Sequence, residues 1–193
     1  MNENAPISIG CVILAAGNAV RFGKNKLLFP INEKPMIERA FEALPVEELC
    51  GVVVVTQYEE IETLAGKHGF SCLRNRCPEA GISRSVRLGT QVLMERCDGI
   101  LYQVSDQPWL KRESVARMLE LFREYPERIV SMSSGGKRGN PCVFPKAYFE
   151  ELCCLSGDRG GRAVIERHRE DLLLFEVSEP ELADIDTPED MMR

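Results

Sequence analysis

With 193 residues, 30 acidic against 24 basic side chains and a net charge of −6, the chain has room for one substantial domain, and it lacks the basic face that nucleic-acid binding requires. Its longest apolar runs are far too short to span a bilayer, and the first ten residues show no charged-then-apolar leader pattern, so a cytoplasmic protein with no membrane partner is expected. The eight cysteines form no C-x-x-C pair. Reduced thiols acting as small hydrophobes are therefore expected, as is a single domain over residues 1–193, because no Pro/Gly/Ser-rich linker divides it.

The first element is the apolar run Cys11, Val12, Ile13 and Leu14, the pattern of a strand buried on both faces. It breaks into Ala15, Ala16 and Gly17, which leave the backbone open to a ligand. Gly17 and Gly23 can take positive φ, so successive N–H groups can line an anion-binding concavity. Arg21 and Lys26 add cations suited to a polyphosphate. Two familiar phosphate loops are excluded. Five residues separate Gly17 from Gly23, and Asn25 follows Lys24 where a Walker A loop needs Ser or Thr; Asn18 and Ala19 after Gly17 break the dinucleotide fingerprint.

Residues 27–30 read as a short extended segment. Pro35 then opens a helix carrying Met36, Ile37, Ala40, Phe41 and Leu44, which Pro45 ends. A strand over 51–56, a helix over 59–68 and a strand over 70–73 continue the alternation of a doubly wound sheet. In the next segment Ser83 or Ser85 is expected to cap a helix running through Val92 and Met94, with Arg84 and Arg87 either reaching phosphate or facing solvent. The strand over 100–105 delivers Asp106, Gln107 and Pro108 at its carboxyl end, where open α/β sheets bind ligands. A carboxylate there, opposite a phosphate loop, suits Mg²⁺; a turn or capping role ahead of a helix starting near Lys111 is the alternative.

A helix over 113–125 and a strand over 128–133 follow. Residues 134–141 read as a flexible basic loop facing a second substrate, with Lys137 and Arg138 as its cations. After a β-run over 172–177, an extended segment puts Asp184 and Asp186 on one face and turns Ile185 to the core, before Thr187 caps a last helix started by Pro188. His68 and His168 fall near helix ends without metal-ligand spacing, and structural roles are expected for both.

The run L-A-A-G-N-A-V-R-F-G-K-N-K at 14–26, G-I-S-R-S-V at 81–86, D-Q-P at 106–108, G-N-P at 139–141, L-S-G-D-R-G-G-R at 155–162 and D-I-D-T-P-E-D at 184–190 together resemble the MobA-like nucleotidyltransferases. The A-A-G and D-I-D-T-P-E-D forms look most like the molybdenum cofactor cytidylyltransferases. The resemblance implies a three-layer α/β, Rossmann-like fold with a mixed, mostly parallel sheet of the nucleotide-diphospho-sugar transferase type. It implies a nucleotide site built from Leu14, Ala15, Ala16, Gly17, Arg21, Gly23 and Lys26, with Gly81, Ser83 and Ser85 at the nucleoside. Arg21, Lys26 and Asp106 become the catalytic groups, and Asp106 and Asp186 the ligands of Mg²⁺, with Asp184 as the alternative second ligand. Arg138, Asn140, Arg162 and Asp184 are the implied acceptor contacts. The implied reaction moves CMP from CTP to the phosphate of a molybdopterin-type cofactor, with a molybdenum hydroxylase or its delivery chaperone as a further partner. GTP in place of CTP, another phosphorylated acceptor, and a non-catalytic nucleotide or cofactor carrier stay open.

Overall fold

The computed structural model describes residues 6–17, 25–187 and 190. In chain order the elements are β1 (Ile9–Ala15), β2 (Pro30–Ile31), β3 (Lys34–Pro35), α1 (Met36–Glu42), β4 (Gly51–Thr56), α2 (Glu59–Lys67), β5 (Ser71–Arg74) and α3 (Ile82–Leu93). They continue with β6 (Gly99–Val104), α4 (Arg112–Glu124), β7 (Ile129–Ser134), β8 (Lys137–Pro145), α5 (Phe149–Cys153), α6 (Arg162–Arg167) and β9 (Leu172–Glu176).

Seven strands make one sheet in the order β5-β4-β1-β6-β8-β7-β9. Every neighbouring pair is parallel except those of β8, which runs antiparallel to both β6 and β7. The expected mixed, mostly parallel sheet is therefore present. Alternation along β1 divides the core into two layers, as period-2 geometry requires. Cys11, Ile13 and Ala15 pack with α1, α2 and α4, whereas Val12 packs with α3, α5 and α6 on the other face. Among the described residues no helix is long and apolar enough to cross a membrane.

Three local expectations are corrected. Leu27 and Leu28 are not extended: Lys26–Leu28 form a 3-10 turn, closed by the Asn25 side chain accepting from the Leu27 N–H at 3.1 Å. Neither serine caps α3, because its N-cap is Gly81 at φ +85°, and Ser83 and Ser85 lie buried inside the helix. The basic stretch 134–141 is a hairpin rather than a loop. Gly135 and Gly136 take φ +56° and +74°, the all-positive pair that a two-residue turn between twisted strands demands. Lys137 and Arg138 then pair in register with Ser134 and Ser133. The Asn140–Pro141 peptide is cis.

His68 ends α2 with its ring 5.1 Å from that of Phe41. His168 ends α6 with Nε2 2.8 Å from Glu151 Oε2. Both lie at helix ends, as their positions suggested, and His168 also has a ligand atom within 4.8 Å of those of Glu170 and Asp171. Thr187 donates its N–H and hydroxyl to Asp190 Oδ2, each at 2.9 Å, the carboxylate half of a capping box. The expected last helix starts at Pro188, outside the described residues.

Candidate active site

The order of strands reverses between β1 and β6, and the crevice at their carboxyl ends is the switch point of the sheet. Ser105 Oγ ties the two ends together by donating to the Leu14 carbonyl at 2.7 Å. From the last residue of β1 onward, three successive carbonyls are taken up by three successive side chains that start at the last residue of β4. Thr56 Oγ1 donates to Ala15 O, Gln57 Nε2 to Ala16 O and Tyr58 OH to Gly17 O, each at 2.9 Å. These bonds draw the carbonyl oxygens, which would repel a phosphate, toward β4. Arg21 and Gly23, both expected on the nucleotide, lie outside the described residues.

Lys26, Asp106 and Asp186 are 80 and 160 positions apart in sequence and meet at one point. The Lys26 ammonium donates to Asp106 Oδ2 at 2.8 Å, to Asp186 Oδ1 at 3.1 Å and to the Ile185 carbonyl at 3.0 Å. Burial acts to lower its pKa, but the charge and hydrogen bond of Asp106, reinforced by Asp186, outweigh this and hold the ammonium above the usual lysine range. Ile185 is buried, so the chain turns as the alternation suggested. The two flanking aspartates nevertheless have different partners. Asp184 Oδ1 accepts from Gln107 Nε2 at 2.9 Å, and burial, with the Asp106 charge behind it, raises its pKa above the ordinary carboxylate value.

A cavity of about 370 Å³ opens at this crevice, lined by Leu14, Ala16, Gly17, Lys26, Gly81 and Ser85 together with Asp106 and Asp158. Gly81 belongs there for a steric reason: a Cβ would lie 2.4 Å from the Gly157 carbonyl and 2.7 Å from Asp158 Oδ1. The Gly157 carbonyl also receives the Ser83 N–H at 3.2 Å, which leaves Ser83 buried behind the wall. Ser85 Oγ accepts from Asn75 Nδ2 at 3.1 Å, and Asn75 Oδ1 accepts from Arg84 Nε at 3.0 Å. Arg84 is thus a structural clamp on Asn75.

A second cavity of about 580 Å³ is lined by Gln107, next to Asp106, with Lys137, Arg138, Asn140, Leu182 and Asp184 among others. Gln107 braces its wall, its Nε2 donating to Leu182 O at 3.1 Å as well as to Asp184. Arg138 and Asn140 also border a smaller space of about 110 Å³ that includes Arg162. Arg162 itself is exposed and pairs with Glu166 Oε1 at 2.7 Å. Three of the four expected acceptor residues therefore share one cavity, and Arg162 stands at its neighbour. Thr56, Gln57 and Tyr58 are the site residues that sequence reasoning missed; their only signal was a polar trio at the end of the strand beside the glycine loop.

The profile of the MobA-like NTP transferase domain matches residues 11–172. Along nearly its whole length the chain is similar to the purine catabolism protein PucB of Bacillus subtilis, 30% identical over 203 residues that cover 98% of this chain and 97% of that protein. A probable molybdenum cofactor guanylyltransferase of Thermococcus sibiricus is 31% identical over 117 residues, 58% of this chain and 55% of its own. Among solved structures, Rv0371c of Mycobacterium tuberculosis H37Rv superposes with a TM-score of 0.82 at 21% identity, covering 98% of this chain and 97% of that one. The same protein has also been crystallised with manganese. With a glycine loop, a carboxylate at the switch point and a family match over most of its length, the chain belongs to the MobA-like NTP transferase family and is a nucleotidyltransferase of that family.

Proposed function

We propose that the chain transfers CMP from CTP to the terminal phosphate of a molybdopterin-type cofactor and releases pyrophosphate, with residues 1–193 acting as one domain. The observation that carries this reading is a pair of cavities, one lined by Asp106 and the other by the adjacent Gln107. The first, with Gly17, Lys26 and Gly81, suits a nucleoside triphosphate. The second, with Lys137 and Arg138, suits an anionic acceptor large enough to need a separate wall. The choice of cytidine follows the A-A-G and D-I-D-T-P-E-D forms of the motifs. A guanylyl-transferring enzyme is the second reading, favoured by the Thermococcus relative.

The donor set fits a hard divalent cation. Two carboxylate oxygens and a peptide carbonyl already converge within 3.1 Å of one cationic atom, the Lys26 ammonium, and oxygen ligands of this kind are what Mg²⁺ takes. Asp106 and Asp186 would hold Mg²⁺, which when bound would supply positive charge to offset that of the reacting phosphates. The chain's own groups supply the rest. Loop N–H groups near Ala16 and Gly17 orient the triphosphate, and Arg21 and Lys26 neutralise the charge that gathers on the departing pyrophosphate. An oxygen of the acceptor phosphate forms the new bond to the α-phosphorus as the α–β bridging bond breaks. That oxygen is already ionised near neutral pH, so no general base is required.

The test is pyrophosphate release with Mg²⁺ and each of CTP, GTP, ATP and UTP, with and without molybdopterin-type cofactor. Release confined to CTP plus that acceptor is expected. Release confined to GTP selects the guanylyl reading, and tight CTP binding without release under any acceptor selects a carrier.

A further inference from the structure

Two thiols meet over Gly10, at the end of the sheet opposite the cavities. Cys50 immediately precedes β4 and Cys97 lies between α3 and β6, the two strands that flank β1. Gly10 pairs with Gly51 on one side and Ile100 on the other, and the Cys50 N–H extends the ladder by donating to Ile9 O at 2.9 Å. The backbone thus brings both cysteines to the same place. A Cβ at Gly10 would lie 2.8 Å from Cys97 Sγ, so the missing side chain makes the room in which the sulfurs approach. They are 2.9 Å apart, inside ordinary van der Waals separation for two sulfur atoms. Cys50 is exposed and Cys97 is buried.

We propose that Cys50 and Cys97 are a redox modification site, forming a reversible disulfide when the protein meets a peroxide. The inference does not depend on the nucleotidyl-transfer reading. The exposed Cys50 thiol is oxidised first by hydrogen peroxide, giving a sulfenic acid and one water. Burial, and then the contact with Cys50, push the Cys97 thiol up, and its buried sulfur is screened from the peroxide, so the first step falls to its exposed neighbour. Cys97 sulfur then attacks Cys50 sulfur. The sulfenic hydroxyl leaves with the Cys97 proton as a second water, so two thiols lose two electrons and two protons and the peroxide is reduced to water. The resulting bond staples the leading ends of β4 and β6 across β1, while the carboxyl ends that carry the site are left as they were. Stability should respond more than turnover.

The experiment treats the purified full chain with a few equivalents of hydrogen peroxide, alkylates the remaining thiols, and maps the unreduced digest by mass spectrometry alongside thermal melts. Expected are a Cys50–Cys97 cross-linked peptide, two fewer titratable thiols per chain, and a melting temperature higher by roughly 5–10 °C, all reversed by dithiothreitol. Cys50→Ser, at an exposed position, should abolish all three responses, and Cys97→Ala should do the same while leaving Cys50 trapped as a sulfenic acid. The proposal is overturned if Cys50 oxidises further or forms adducts with Cys97 still free, if Cys97 links to another cysteine, or if neither thiol reacts.

Discussion

The Lys26 ammonium lies 2.8 Å from Asp106 Oδ2 and is held at the same time by Asp186 Oδ1 and the Ile185 carbonyl. A cation therefore sits at the one point where the β6 end, the 3-10 turn and the acidic segment after β9 converge. Three stretches of chain remote in sequence are tied there by charge, and only 17% of the Lys26 side chain is exposed, so the pairing is screened far less than a surface ion pair.

Loss of either partner should be felt in turnover. Removing one preorganised charge from a transition state costs about 2.7–4 kcal/mol on the scale of oxyanion-hole deletions. Asp106→Ala and Lys26→Ala are accordingly expected to lower kcat about a hundredfold or more. Asp106→Asn keeps the volume and loses the charge, so it should fold normally and lose dependence on added divalent metal. Steady-state pyrophosphate release checks this; near-normal turnover in both alanine variants would remove the site assignment.

Because the ammonium occupies the focus of the oxygen donors, it should also oppose metal binding to the nucleotide-free protein. Lys26→Met leaves Asp106, Asp186 and the Ile185 carbonyl facing one another with no cation of the described residues paired to them. Removal of a positive charge a few ångströms from an incoming divalent ion should tighten Mn²⁺ binding in the absence of nucleotide by about tenfold or more. Electron paramagnetic resonance titration of free Mn²⁺ reads this directly. An unchanged dissociation constant would mean that the metal does not use this donor set.

The loop behind the site has its own test. Tyr58 OH holds the Gly17 carbonyl at 2.9 Å, while Thr56 and Gln57 hold the two carbonyls before it. Tyr58→Phe deletes one of three tethers and touches no reacting atom. The expected result is a KM for the nucleotide raised a few-fold with kcat nearly unchanged, because a single neutral hydrogen bond contributes about 1 kcal/mol. A fall in kcat with KM unaltered would contradict a positioning role.

Much of this arrangement could be read from residues alone, and what could not has a physical reason. The run G-V-V-V-V-T announced β4 to the residue, since a strand buried on both faces is continuously apolar and needs no partner to be recognised. Asp106 could be set at the end of β6 from the strand pattern before it, whereas Asp186 was singled out by the resemblance of the D-I-D-T-P-E-D run. The ammonium between them was invisible, because it depends on the 3-10 turn that aims Lys26 and on contacts across 80 and 160 positions. Thr56, Gln57 and Tyr58 were passed over because their partners are backbone carbonyls 41 positions away, which leave no trace in side-chain identity. The β7–β8 hairpin was mistaken for a loop because its strand alternation is masked by Lys137 and Arg138, although Gly135 and Gly136 carried the turn signal.

At Gly81 the space and the backbone agree. Its φ of +85° and ψ of 177° lie in a region essentially reserved for glycine, and an added Cβ would meet the Gly157 carbonyl at 2.4 Å. Gly81→Ala must move the 155–161 loop or the start of α3, and both line the first cavity. Destabilisation of about 1–3 kcal/mol is expected, a fall in melting temperature of roughly 3–10 °C, together with weaker nucleotide binding. Calorimetry with and without nucleotide separates the two effects, and an unaltered melting curve would show that the loop yields freely.

The acidic segment is moored by Glu181, whose carboxylate accepts from Ser178 Oγ at 2.8 Å and from the Lys111 N–H, the N-cap of α4, at 3.3 Å. Burial by itself would raise its pKa. The hydrogen bonds from Ser114, Ser178 and Lys111 outweigh burial and hold it below the ordinary glutamate value. A carboxyl whose folded pKa is depressed contributes stability that is fully present above its unfolded pKa and is lost as pH falls through the folded one. Glu181→Gln should therefore lower the melting temperature at pH 7 by about 2–4 °C, the scale of a charge-assisted bond weakened to a neutral one. As pH falls below the ordinary glutamate value and through the depressed folded one, the wild-type carboxyl becomes protonated too, and the difference between the two proteins should close. Melts of both across pH 3–7 provide the comparison. A gap that persists at acid pH would assign the loss to packing, and no gap at pH 7 would mean that the negative charge does not hold the segment carrying Asp184 and Asp186 against α4.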